Sequence, residues 1–226
     1  MPCYRPLKGY HGVDGRLVFS RPLAFVDRPV SVPCGQCIGC RLEKSRQWAM
    51  RCVHEAQLHR DNCFVTLTYS DEHLPADLSV SKVELQRFMK RLRKRYGEGI
   101  RFFGCGEYGD KSLRPHYHVL LFNHDFEDKV LWRNSKENQL YVSSSLMRLW
   151  RLGLSSLGSV SFQSAAYVAG YIQKKVSGPA ASDHYKRIHP ETGEVITLTP
   201  EFALMSRRPG IGAGWYERFK SDAYPR

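Results

Sequence analysis

Along the first 33 residues the apolar positions keep little periodicity; regular patterns begin near residue 42. From about Leu42 to His59 the spacing predicts a helix, with Trp48, Cys52, Ala56 and His59 along one face. "CFVTLTY", 63–69, is β-branched and aromatic, sits between Asp61-Asn62 and Ser70-Asp71, and predicts a strand buried on at least one face. After the loop "DEHLPADLS", the stretch "SVSKVELQRFMKRLRKRYG" returns to helical spacing. Ser81 followed by Glu84 gives a capping box, Val83, Leu85, Phe88, Met89 and Leu92 form an apolar stripe, and Gly97 ends the helix. "IRFFGCGE", 100–107, and "PHYHVLLFN", 115–123, predict two strands, joined by the hairpin-length "YGDKSLR". "VSSSLMRLWRLG" is a short helix ending at Gly153, "LGSVSFQ" a fourth strand, and "SAAYVAGYIQKKV" a helix with Ser164 as its N-cap. Residues 1–33 read as irregular with one short hairpin ("GRLVFS", then "LAFV"). From Ser177 onward, Pro, Gly and polar residues predict a tail that packs through "EFALMS" and "GWYERF".

This order predicts an α+β fold: a central, mostly antiparallel sheet of about five strands with helices packed on one side. Three segments follow: a Cys-rich segment and helix over 1–60, a core over 61–177, and a tail over 178–226. The 42% of hydrophobic residues suffices for a core, and no apolar run nears the roughly 20 residues that span a bilayer. "MPCYRPLKGYHG" lacks the apolar stretch of an export signal, so the expectation is a soluble intracellular protein with no membrane partner. Lys and Arg number 34 against 22 Asp and Glu, a formal charge of +12 that points to a polyanionic partner, nucleic acid first. Seven cysteines, an odd number, argue against a disulfide framework and, where clustered, for metal.

Three groups of residues carry chemistry. In a strand, i and i+2 share a face, so His116 and His118 of "RPHYHVLLF" stand side by side with Tyr117 on the other side. The hairpin folds Glu107 back toward His116, and a carboxylate with two imidazoles suits Mg²⁺, Mn²⁺ or another divalent ion with open positions. Leu120 stands where a histidine-triad hydrolase needs another histidine, and no H-E-x-x-H is present. Second, Tyr167 and Tyr171 lie one helical turn apart, with Lys174 and Lys175 on or near that face. Alone, they are edge residues of an amphipathic helix. Beside a metal site, a phenol is a phosphodiester nucleophile, and a nearby lysine lowers its pKa or stabilises charge on the phosphate. Third, Cys34, Cys37 and Cys40 give C-x₂-C-x₂-C. A closed zinc site needs a fourth ligand; Cys3, Cys52 and His54 are the candidates, with Cys3 preferred. An iron–sulfur centre is the less favoured alternative, and Cys63 and Cys105 are ordinary strand cysteines. No Walker-type phosphate loop is present.

Together, "HYH" with its apolar run, "GEYG" upstream, "YVAGYIQKK" downstream and "FVTLTY" as a first strand motif resemble the HUH-type single-strand endonucleases. More closely, "MPCYRPLKGY", "PCGQCIGCRLEKSRQWAMRC", "GEYGDKSLRPHYH" and "SRRPGIG" resemble the replication initiators of microviruses of the gokushovirus type. That resemblance implies an HUH endonuclease-like fold, a metal held by His116 and His118 with Glu107 as acidic third ligand, and Tyr167 and Tyr171 as nucleophiles followed by Lys174 or Lys175. It implies nicking of single-stranded DNA at an origin, a 5′ phosphate kept on tyrosine, a 3′ hydroxyl that primes rolling-circle synthesis, and rejoining by the second tyrosine. Host replication proteins would be partners and the host bacterial cytoplasm the setting. Tyr117 departs from the family's hydrophobic residue between the histidines. The basic helix then reads as a phosphate-contacting surface, and Arg91, Arg93, Lys94, Arg95, Arg114 and Tyr108, with the pair Arg207-Arg208, are candidate DNA contacts. Rival readings are a non-catalytic zinc-stabilised nucleic-acid-binding module, its tyrosines stacking on bases, and a plasmid relaxase, which usually adds a third histidine that is absent here.

Overall fold

The computed structural model describes residues 3–20, 24–109, 113–134, 139–171, 176, 181–190 and 192–223, and the chain divides into two compact units, 1–47 and 48–226. The boundary falls within helix α1 (Ile38–Ala56). In the first unit, β1 (Leu7–Gly12), β2 (Leu17–Val18) and β3 (Ala24–Val32) form an antiparallel sheet in the order β2-β1-β3. The expected hairpin between 15–20 and 23–26 is replaced by pairing of both segments with β1.

The second unit is built on seven strands, ordered β12-β5-β6-β4-β9-β8-β7, every neighbouring pair antiparallel. They are β4 (Asn62–Thr68), β5 (Arg101–Tyr108), β6 (Pro115–Phe122), β7 (Lys129–Asn134), β8 (Gln139–Ser143), β9 (Ser155–Gly158) and β12 (Phe202–Met205). Helices α2 (Lys82–Tyr96), α3 (Ser144–Trp150), α4 (Phe162–Tyr171), α5 (Ala181–His184) and α6 (Ala213–Ala223), with a small β10–β11 hairpin (Lys186–Ile188, Val195–Thr197), complete it. This is the antiparallel α+β, HUH endonuclease-like architecture that the resemblance implied.

Helices cover both faces of the sheet rather than one. Leu85, Phe88, Met89 and Leu92 of α2 and Leu146 and Trp150 of α3 pack on Val65, Leu67, Tyr117, Val119 and Leu121. On the opposite face Ala49 and Cys52 of α1, and Ala165, Val168 and Ala169 of α4, pack on Phe103, Cys105, Leu120 and Phe122. The reason lies in β6: a central strand buried on both faces needs an unbroken apolar run, and "VLLF" is one. The sequence places four of the seven strands, β4, β5, β6 and β9; the edge strand β12 forms from "EFALMS", expected only as a packing segment of the tail, and β7 carries no such signal because it is exposed along its whole length.

Local chemistry sets the boundaries. Ser81 caps α2 by accepting from the Glu84 N–H at 3.3 Å. The reciprocal half of the capping box is absent, since the Ser81 N–H donates to the Tyr117 hydroxyl at 2.9 Å. "LGSVSFQ" is divided: β9 ends at Gly158, and Ser161, not Ser164, caps α4 by accepting from the Ser164 N–H at 3.1 Å. Gly153 is required, because a Cβ there would stand 2.3 Å from the Ser70 nitrogen and 2.4 Å from the Thr68 oxygen. The "RPGIG" segment is gripped by its backbone. Arg101 donates to the Pro209 carbonyl, Arg51 to that of Ile211, and buried Glu55 pairs with Arg101 while accepting the Gly212 N–H.

Candidate active site

Strand register assembles the site without help from a loop. Glu107 pairs with His116, Cys105 with His118, and on the other side Thr66 pairs with His118 and Thr68 with His116. Directly opposed residues of antiparallel strands project from the same face. Glu107 Oε1 therefore lies 2.6 Å from His116 Nε2 and 3.0 Å from His118 Nε2. One ligand atom from each of the three lies within 4.8 Å of the others.

The outer hydrogen bonds fit this trio to a cation. His116 Nδ1 donates to the Arg114 carbonyl at 3.0 Å. A neutral ring with its proton there points the Nε2 lone pair at a carboxylate oxygen 2.6 Å away, a contact that needs a proton or a metal ion in between. His118 Nδ1 lies 3.1 Å from the Thr66 hydroxyl. Glu107 Oε2 is buried and has no hydrogen-bond partner among the described residues, as expected of a group that ligates an ion. Burial pushes the Glu107 carboxyl up, but hydrogen bonds and charge from His116 and His118 outweigh it and hold the group below the usual carboxylate range. One carboxylate oxygen and two imidazole nitrogens are the donors that a divalent cation with open positions takes.

Helix α4 crosses this same face. The rings of Tyr167 and Tyr171 lie 4.8 Å apart at 85°. His118 meets the first edge-on at 5.0 Å and the second stacked at 5.7 Å. Phe64 stacks on His118 at 5.5 Å, completing an aromatic cluster around the buried histidine. Small residues on the underside of α4, Ala165 and Ala169, allow its close approach. Tyr171 is buried, whereas Tyr167 is 47% exposed.

The Replication-associated protein ORF2/G2P family model matches residues 62–176, from the start of β4 to just beyond α4. Replication-associated protein VP4 of Bdellovibrio phage phiMH2K is 35% identical over 100% of this chain and 70% of its own length. Replication-associated protein ORF2 of Spiroplasma virus 4 is 34% identical over 86% of this chain and 59% of its own. Replication-associated protein ORF4 of Chlamydia phage 1 is 33% identical over 75% and 41% respectively. The chain belongs to the Replication-associated protein ORF2/G2P family. Within it the chain is of the microvirus type. No solved structure matches it.

In this replication-associated protein the other anticipated residues have varied surroundings. Tyr108 is buried, its hydroxyl donating to the Thr199 carbonyl at 2.7 Å and accepting the Val80 N–H, so it offers DNA no surface. Arg91 is tied to the Leu149 and Trp150 carbonyls at the end of α3, and Arg93 donates twice to the Ile100 carbonyl. Arg114 holds Asp71 and the Tyr69 carbonyl. Lys94, Arg95, Arg207 and Arg208 are exposed. Lys174 and Lys175 lie outside the described residues. Sequence reasoning missed Thr66. Its signal was legible: Thr66 and Thr68 interrupt an apolar strand at period two, marking one face of "FVTLT" as polar.

Within the first unit, Cys3 joins Cys34, Cys37 and Cys40, one sulfur from each lying within 4.8 Å of the rest. Backbone N–H groups of Tyr4, Cys34 and Cys37 donate to the sulfurs of Cys37, Cys3 and Cys34 at 3.3–3.4 Å. Backbone N–H groups of Cys40 and Tyr4 bring the Cys37 thiol down to about 6, those of Cys37 and Gln36 lower Cys34, and desolvation lifts Cys40 to about 12. The rival fourth ligands are engaged elsewhere. Cys52 is in the core of the second unit, and His54 stacks on Trp215 at 3.8 Å.

Proposed function

We propose that this protein is a replication initiator that nicks and rejoins single-stranded DNA at an origin by tyrosine transesterification, starting rolling-circle replication. The observation that carries the reading is the packing of both Tyr167 and Tyr171 against His118, whose Nε2 meets Glu107. A divalent ion, Mg²⁺ or Mn²⁺, is held by His116, His118 and Glu107, and when bound it supplies Lewis-acid polarisation of the scissile phosphate. The chain's own residues do the rest. Glu107 stays ionised to balance the charge of the site, and the Arg114 carbonyl and Thr66 hydroxyl fix both imidazoles with Nε2 inward. The phenolic oxygen of a tyrosine attacks phosphorus in line, the bond from phosphorus to the 3′ oxygen breaks, and the phosphate remains as a 5′-phosphotyrosine. The phenol loses a proton and the departing 3′ oxygen gains one. One phosphodiester is exchanged for another, so no nucleotide hydrolysis is required. Tyr167, open to solvent, meets the incoming strand first, and Tyr171 beneath it serves the second cut and closure. Lys174 and Lys175 follow the nucleophiles as candidate charge stabilisers.

The four-cysteine cluster is proposed to hold a structural Zn²⁺, for which four sulfurs within reach and backbone N–H groups on three of them are the appropriate environment. Among the described residues no helix is long and apolar enough to cross a membrane. Origin DNA, host replication proteins and the host bacterial cytoplasm complete the proposal. The test is incubation with an origin-region single-stranded oligonucleotide and Mn²⁺, reading a denaturation-resistant protein–DNA adduct. Tyr167→Phe should abolish the first adduct, and Tyr171→Phe should form it but fail to release a rejoined product. No adduct with any origin-region sequence overturns the nickase reading. Adduct from the double variant would move the nucleophile to another element.

A further inference from the structure

We propose that the β7–β8 hairpin is a stacking platform for single-stranded DNA, with Trp132 as the base-stacking surface and Arg133 as its cationic partner. The inference rests on the nicking reading only in taking single-stranded DNA as the ligand. β7 is the outermost strand of the seven-stranded sheet. Val130, Leu131 and Trp132 are all exposed along it, the indole to 60%. An exposed apolar edge invites unwanted pairing, so a chain that keeps one usually blunts it or uses it. Here the β7–β8 register shifts between Leu131 and Arg133, which makes Trp132 the extra residue of a bulge. A bulge interrupts edge pairing and re-aims a side chain, and the side chain re-aimed is the largest available. The Arg133 guanidinium lies 5.8 Å from the centre of the indole. An exposed aromatic beside an arginine is the sequence-tolerant means of holding unpaired bases, and a chain of charge +12 suits a polyanion.

Position supports the same occupant. Arg133 pairs with Leu140. Leu140 shares a face with Phe64, since both flank the point where a Cβ on Gly158 would stand, at 3.9 and 3.5 Å. Phe64 in turn stacks on His118. Arg133 is therefore on the face that carries the histidines and tyrosines. Four strand steps separate β7 from β6, roughly 19 Å at the usual interstrand spacing. A single strand engaged at the tyrosines and continuing across β4, β9 and β8 reaches Arg133, and with it the indole 5.8 Å away.

The experiment uses the full, zinc-loaded chain and labelled oligothymidylate with no Mg²⁺ or Mn²⁺ added, so that binding is read by fluorescence anisotropy without cleavage. Trp132→Ala should weaken binding roughly five- to 150-fold, Trp132→Phe by much less, and Arg133→Ala by an intermediate factor. Wild-type tryptophan emission should fall on binding, and Trp132→Phe should lose most of that quench, because Trp132 is the exposed one of the four tryptophans: Trp150 is buried, and Trp48 and Trp215 are half-buried and stacked on Phe103 and His54. Equal affinity of wild type and Trp132→Ala, or unaltered wild-type emission at saturation, overturns the platform alone and leaves the edge to a protein partner. Failure of the wild-type chain to bind any single strand overturns both this inference and the nicking reading.

Discussion

Replacing Thr66 by Val removes one hydroxyl and nothing else of consequence, since both side chains are β-branched and of similar volume. The hydroxyl stands 3.1 Å from His118 Nδ1, on a ring that is almost wholly buried. To ligate through Nε2, His118 must carry its proton on Nδ1, and Thr66 is the acceptor. In Thr66→Val the metal-bound form holds a buried N–H without that partner, at a cost of about 1–3 kcal/mol. The metal-free form escapes the cost by moving the proton to Nε2, where Glu107 Oε1 accepts it at 3.0 Å. The difference falls on metal binding. At about 1.4 kcal/mol per tenfold it amounts to roughly five- to 150-fold, which brackets the roughly ten- to hundredfold typical of outer-shell ligand partners. The assay is adduct formation against Mn²⁺ concentration. Half-maximal metal should rise by that factor in Thr66→Val, the plateau should stay close to wild type, and Thr66→Ser should behave as wild type. Unchanged metal dependence in Thr66→Val, or an equal loss in Thr66→Ser, would refute the role assigned to the hydroxyl.

Tyr117→Phe should lose about 1–3 kcal/mol, since it strands the Ser81 N–H and the Tyr69 hydroxyl that meets it at 2.7 Å, while adduct formation at saturating metal is retained; thermal melting should fall by about 2–4 °C per kcal/mol. Acidification should release the Zn²⁺ proposed for the cysteine cluster: the Cys37 thiolate is favoured well below its ordinary value, so its contribution is present above the ordinary thiol range and fades as pH falls through about 6, which a chromogenic zinc chelator can follow. Lys94→Ala and Arg95→Ala should each reduce the salt dependence of oligonucleotide binding by up to about one unit of slope, whereas Arg91→Ala should lower melting temperature and leave that slope alone, because its guanidinium holds the carbonyls at the end of α3.

What the sequence disclosed follows from burial. α2, β4, β5 and β6 are covered on one or both faces, so their apolar spacing reports their secondary structure directly. The candidate site was legible for a related reason: "HYH" and "GEY" lie on neighbouring central strands, and a hairpin joins them in near-symmetric register. β7 was not, because exposure on both sides removes alternation and the bulge at Trp132 breaks what remains. The basic residues were least legible. A run such as "KRLRKRY" has the same appearance whether a guanidinium faces solvent, as with Arg95, or folds back on carbonyls, as with Arg91 and Arg93. Tyr117 looked like a departure in a hydrophobic position, yet it is fully buried and its hydroxyl is satisfied, which makes it the hydrophobic residue the strand requires.

The site also explains why its supporting face is so heavily built. Three adjacent strands supply Thr66, Glu107 and the two histidines, and a slip of β5 by one residue would turn Glu107 to the opposite side. The candidate metal-binding trio is thus only as well defined as the register, and the register is held from behind. Gly106 pairs with Tyr117, and a Cβ on Gly106 would stand 2.8 Å from the Phe202 ring and 3.2 Å from that of Tyr117. No larger residue fits between those rings, so a slip of β5 would drive Cys105 or Glu107 into a closed aromatic stack of Tyr117, Phe202, Tyr69 and Trp150. The Tyr117 hydroxyl extends the lock to α2 through the Ser81 N–H. Ligand geometry on one face and aromatic packing on the other are therefore one constraint. The two proposed nucleophiles, Tyr167 and Tyr171, by contrast, ride on a helix that meets the sheet through small side chains and ring contacts. That division suits a reaction in which the phosphate must be held still while two tyrosines take turns.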